Sequence, residues 1–178
     1  HLQGVLLRHA LRLNLGLGVL MLVIIGGISP FLSMLGQDPE VAANARPYLL
    51  IIASSIIPLM GFATFKQFAE GLSDTRRAMV VIVGCNLLNI ALNYTLIYGK
   101  LGFPAMGLSG AGWSTLIARI MMMVFMGYYV LQHPKFSKYR LRLSPINFRR
   151  KIARRLMQIA LPSGLQFLFE VSAFSLAA

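Results

Sequence analysis

The chain has 178 residues, of which 57% are hydrophobic and 12% charged, and it carries a formal charge of +12. A soluble domain usually has about a quarter of its residues charged, so this balance excludes the ordinary soluble classes. In a soluble protein the positive charge would point to nucleic acid. Here it is concentrated between long apolar runs, and no nucleic-acid partner is expected.

The apolar runs come in series. Leu13–Leu35, Pro47–Phe65 and Ala78–Gly99 hold no charge; Leu101–Gln132 holds only Arg119, and Leu156–Ala178 only Glu170. Each reaches the roughly 17–25 residues that a helix needs to cross a ~30 Å hydrocarbon core. The expectation is an all-α, polytopic membrane helix bundle of five spans, at about 2–35, 41–69, 76–99, 107–132 and 156–178. The chain begins at His1 and ends within an apolar run, so the reading is a fragment of a longer membrane protein, its last span truncated. The first run is too long for a signal peptide.

The connections fit this reading. Gly36-Gln37-Asp38-Pro39 combines a helix-ending glycine with an Asp before proline. Pro58 lies in mid-span and should kink its helix by removing a backbone hydrogen bond. Gly99–Gly107 holds three glycines and a proline and reads as a loop. Leu108–Leu116 then opens the next span with small residues, which let helices approach closely in lipid. Between Gln132 and Leu156 stand Lys135, Lys138, Arg140, Arg142, Arg149, Arg150, Lys151, Arg154 and Arg155, with no acid among them. This basic stretch, 133–155, reads as a cytoplasmic loop containing an amphipathic interfacial helix. Arg8, Arg12, Arg76 and Arg77 then also fall inside, and the outer loops carry only Arg46 and Lys100 as cations. That is the asymmetry of a multi-pass membrane protein, with lipid as a partner.

Soluble-enzyme signatures are absent: there is no P-loop, no GxGxxG and no HExxH. His1, His9 and His133 are scattered, and Cys85 is a lone cysteine within a span. No enzyme, no metal centre and no bound cofactor is expected. What carries chemistry is polarity inside the spans. Asn86, Asn89 and Asn93 at i, i+3, i+7 share one helical face. An amide in hydrocarbon needs a partner. The stripe is therefore either interhelical glue or the lining of a cavity. Ser163, Gln166 and Glu170 repeat the spacing on the last span. Glu170 lies eight residues beyond Pro162, ~12 Å along the helix and near mid-bilayer. A charge there costs at least ~2.5–3.5 kcal/mol on insertion scales. It is tolerable when protonated or when a cation sits close by, which a Na⁺- or H⁺-coupled transporter can use; the alternative is a structural pair with a basic residue such as Arg119.

Phe65–Arg119, "FKQFAEGLSDTRRAMVVIVGCNLLNIALNYTLIYGKLGFPAMGLSGAGWSTLIAR", resembles the multidrug and toxic compound extrusion (MATE) transporters. The features are the E-G-x-x-D-T-R loop, the asparagine-rich helix and the FPAMGLSGAG entry to the next one. The stretch "LGQDPEVAANARPYL" is similar to the family's loop between helices three and four. The Phe-Glu-Val triplet at 169–171 is similar to the start of helix seven in the NorM-like branch. The resemblance implies that the five spans are helices three to seven of a twelve-helix, two-lobe transporter. Residues 1–132 would belong to the N-terminal lobe, 133–155 to the inter-lobe loop and 156–178 to the first helix of the C-terminal lobe. It implies a secondary active antiporter that exports cationic amphipathic drugs against Na⁺ or H⁺ by alternating access. Glu170 would be the cation-coupling residue, with Na⁺ at Glu170 if sodium is the coupling ion. Asn86, Asn89, Asn93, Ser163 and Gln166 would line the polar cavity, and the rest of the polypeptide would complete the site. The alternatives are a lipid-linked saccharide flippase of the same superfamily, which should show more cations than Arg119 facing a cavity, and a non-transport membrane scaffold subunit.

Overall fold

The structure, a computed structural model, describes residues 2–29, 39–100, 102, 104–137, 154 and 158. The regular elements among the described residues are all helices: α1 (Leu2–Ile28), α2 (Pro39–Ser54), α3 (Ile56–Gly71), α4 (Thr75–Tyr98), α5 (Gly107–Gln132) and the short α6 (Pro134–Ser137). Four stretches are long and apolar enough to cross a membrane: Gln3–Ile28, Ala45–Gly71, Thr75–Tyr98 and Gly107–Gln132. The basic stretch beyond 137, its amphipathic helix and the fifth span lie outside the described residues, apart from Arg154 and Gln158.

The second stretch is two helices in one span. The break falls at Ser55 and its cause is Pro58. Proline has no N–H to offer the carbonyl of Ser54, and its ring crowds that carbonyl. The chain relaxes around the gap. The N–H of Ser55 is shared between the carbonyls of Ile51 and Ile52, both at 3.1 Å, and the Leu59 N–H reaches the Ser55 carbonyl at 3.2 Å. The helix is thus interrupted three residues ahead of the proline from which a kink is expected.

Helix α5 is the hub. It packs on α2, α3 and α4, while α1 lies against α2 and α3 on the other side. Glycines set how near the helices come. A side-chain carbon on Gly110 would lie 2.7 Å from the Leu96 carbonyl oxygen of α4, so only glycine permits that approach. Gly112 faces Tyr48 and Ile51 of α2, and Gly127 faces the ring of Phe65 of α3. The small residues at the start of α5 therefore serve the close packing expected of them. In lipid this matters more than hydrophobicity, because lipid tails are as apolar as leucine and association rests on contact and hydrogen bonds.

The tightest core is gathered near one end of the bundle: Leu7 and Leu11 of α1, Phe62, Phe65 and Ala69 of α3, Ala78 of α4, and Met122, Met126 and Val130 of α5 with Phe136 of α6. Towards the other end, α1 and α4 leave apolar side chains exposed, including Val23, Ile28, Ile90 and Tyr98. Such surfaces suit hydrocarbon or further helices.

Candidate functional site: polar ties within the spans

Three of the interhelical contacts in the membrane interior carry a polar tie. Between α4 and α5, Ser114 Oγ, fully buried, donates to Asn93 Oδ1 at 2.5 Å, and Asn93 Nδ2 donates to Asn89 Oδ1 at 3.0 Å. Between α1 and α3, Asn14 Nδ2 donates to Thr64 Oγ1 at 2.8 Å. The Thr64 hydroxyl in turn donates to the Met60 carbonyl at 2.9 Å. Between α5 and the break in the second span, Arg119 Nη1 donates to Ser55 Oγ. The Ser55 hydroxyl in turn donates a hydrogen bond to the Ile52 carbonyl at 2.6 Å, so the serine is used both as acceptor and as donor.

The asparagine stripe is therefore split. Asn89 and Asn93 are half-buried and bonded, with Asn93 reaching across to α5, whereas Asn86 is exposed. The local reason is the α4–α5 approach at Gly110: it brings Ser114, four residues on, onto the Asn93 face. Asn93 ties α4 to α5 in this arrangement, and the stripe runs from the packed seam at Asn93 to the open face at Asn86. Ser163, Gln166 and Glu170 lie outside the described residues, so Arg119 meets a serine here and its relation to Glu170 is not part of the described structure. Arg119 stands at the middle of a 26-residue span, where a cation is costly. Its hydrogen bond fastens α5 to the one interruption among the described spans.

A second polar cluster closes the end of the bundle where α3, α4 and α5 meet. The turn between α3 and α4 puts Ser73 at φ 59°, a left-handed conformation uncommon for serine. The turn delivers Asp74, whose Oδ2 accepts the hydroxyl of Tyr129 on α5. Arg77 Nη1 lies 2.6 Å from the Tyr129 hydroxyl oxygen and 2.6 Å from His133 Nε2, and its guanidinium sits 4.8 Å from the Tyr129 ring centre. Glu70 pairs with Lys66 one turn back, at 3.4 Å. Both acids of the E-G-x-x-D-T-R stretch are thus engaged within the bundle. Among the described residues no three His, Cys, Asp or Glu side chains stand close enough to share a metal ion.

Sequence reasoning singled out the asparagines and Arg119. It missed Asn14, Ser55, Thr64, Ser114 and Tyr129. Asn14 and Thr64 were readable as polar residues within apolar runs; the serines were hidden among small residues and Tyr129 among the aromatics of a span end.

The MatE family pattern matches residues 2–95. The chain belongs to the MATE family. The protein is similar to the probable multidrug resistance protein NorM of Photorhabdus laumondii, 35% identical over 93% of this chain and 36% of that protein. It is similar also to the NorM of Oceanobacillus iheyensis, 33% identical over 97% of this chain and 38% of that protein. Its fold matches that of a multidrug resistance MATE family transporter of the MOP superfamily solved in an inward-facing conformation. There the TM-score is 0.75 at 24% identity, over 89% of this chain and 35% of that one. The chain thus spans little more than a third of the length of the relatives it matches. With its apolar spans and these relatives, it is a multi-pass membrane protein, and its relatives are transporters, not enzymes.

Proposed function

We propose that this chain supplies helices three to seven of a twelve-helix secondary active efflux transporter in a bacterial inner membrane. It is not an enzyme. The transporter exchanges cationic amphipathic molecules for Na⁺ or H⁺, and its two lobes rock to expose a central cavity to either side. The observation that carries this reading is the family match over residues 2–95, together with relatives named for multidrug resistance. Polar groups held inside the spans, Asn89, Asn93 and Arg119, support it, because intramembrane polarity is costly and is kept where a pathway needs it.

Within that mechanism Glu170 is the coupling residue. It alternates between a neutralised state, protonated or Na⁺-bound, and a free carboxylate as the lobes rock. Asn86, Asn89, Asn93, Ser163 and Gln166 line the polar route, and the remainder of the polypeptide completes it. Asn86 is the stripe member with its face open, whereas Asn93 is committed to Ser114.

The test uses the full-length protein in proteoliposomes, with efflux of a fluorescent organic cation measured under imposed Na⁺ and pH gradients. Wild-type transport should follow one of the two gradients, and Glu170→Gln should uncouple it. Transport that ignores both gradients, or a Glu170→Gln variant that responds as the wild type does, would overturn the coupling assignment.

A further inference from the structure

We propose that the groove between the start of α4 and the end of α5 binds the headgroup of an anionic phospholipid. Its phosphate sits on Arg76 and Arg77, and one acyl chain runs along the exposed face of α4. The groove is lined by Asp74, Arg76, Arg77, Val80 and His133. Two guanidinium groups and one carboxylate line the groove, so its charged side chains sum to a positive value. Arg77 is fixed in advance: Tyr129 and His133 both hold Nη1, and the Tyr129 ring lies under the guanidinium. Among the described residues its Nε and Nη2 donors are unused. A planar fork held in place loses little freedom on meeting a phosphate, which it can grip through two parallel bonds.

The surface below the arginines decides which phosphate fits. Val80 lies one turn after Arg76 on the same face and is 61% exposed; Val83 and Leu87 continue the apolar surface at 50% and 63%. From Arg76 to Leu87 the helix rises ~16 Å, about half of a ~30 Å hydrocarbon core and so the depth of one leaflet. An inorganic anion would have no use for that stripe. A helix laid on it would have to bury two arginines. A lipid satisfies both halves at once. The groove also lies at the end of the bundle that the charge asymmetry assigns to the cytoplasm, the side whose leaflet is rich in anionic lipid. The inference needs the protein to sit in a membrane and does not depend on the transport reaction.

The experiment titrates the full-length protein in detergent with phosphatidylglycerol or phosphatidylcholine and reads bound lipid by native mass spectrometry and lipid-dependent thermal stabilisation. Phosphatidylglycerol should bind in preference to phosphatidylcholine. Arg76→Gln should weaken phosphatidylglycerol binding about fivefold, the usual effect of one basic residue near a charged lipid surface. Lys100→Gln, the same charge change at the opposite end, should leave binding as it was. Because Arg77 also supports the fold, its variant is read by bound lipid per folded protein: Arg76→Gln with Arg77→Gln should abolish the preference. Equal binding of the two lipids, wild-type binding by Arg76→Gln, or displacement of the lipid by an equal concentration of inorganic phosphate would each overturn the assignment.

Discussion

The two ends of the α4–α5 pair are joined in opposite ways. At one end the backbones touch: Gly110 rests against Leu96, the Met106 N–H donates to the Leu96 carbonyl at 3.0 Å, and left-handed Gly99 lets the chain turn back beside Ala105. At the other end the helices are linked through side chains, with Asp74 and Arg77 gripping Tyr129 and His133. A backbone seam has no rotamers to change and excludes water, so it is stiff. A clasp of partly exposed charged groups is weaker, is screened by salt, and can be opened by moving side chains alone. The difference identifies the end of this pair that can loosen without unpacking the spans.

Three substitutions in the full-length protein can break that contrast or sharpen it. Gly110→Val should be the most damaging. Its first side-chain carbon would already stand 2.7 Å from the Leu96 carbonyl oxygen, and forced overpacking of this kind costs about 3 kcal/mol. The check is thermal unfolding in detergent together with the yield of membrane-inserted protein; a variant as stable as the wild type would mean that the seam is not tight. Tyr129→Phe should cost less, about 1 kcal/mol, because the hydroxyl serves both Asp74 and Arg77 at a partly exposed site. Its penalty should shrink as salt rises, and unfolding curves at two ionic strengths would show this; a penalty independent of salt would put the clasp in the same class as the seam. Ser114→Ala should have the smallest effect, about 0.6 kcal/mol, typical of one hydrogen bond between membrane helices. A loss of several kcal/mol there would make the Asn93 tie, and not the glycine contact, the main fastening of this pair.

The sequence by itself determined that this chain is a helical membrane bundle and that its second span holds a helix-breaking proline. Those properties are local. A peptide group in hydrocarbon must bond within its own helix, so a long uncharged run such as Ala78–Gly99 has one way to cross, and a proline at 58 removes its bond in any surroundings. The motif run from Phe65 to Arg119 also carried the family, because order and spacing survive where single residues do not. Which side chains meet was decided by the tertiary structure. The asparagine spacing put Asn86, Asn89 and Asn93 on one face of α4, yet it could not show that Asn93 would find Ser114 while Asn86 stayed exposed. Arg119 was conspicuous in its span, yet its bond to Ser55 depends on the opening that Pro58 makes in a neighbouring span. Tyr129 gave no sign of its role, since the turn at Ser73 had first to carry Asp74 to it. In lipid, apolar faces are nearly interchangeable as partners; close backbone contact at a few glycines and the need to satisfy each buried polar atom choose among them.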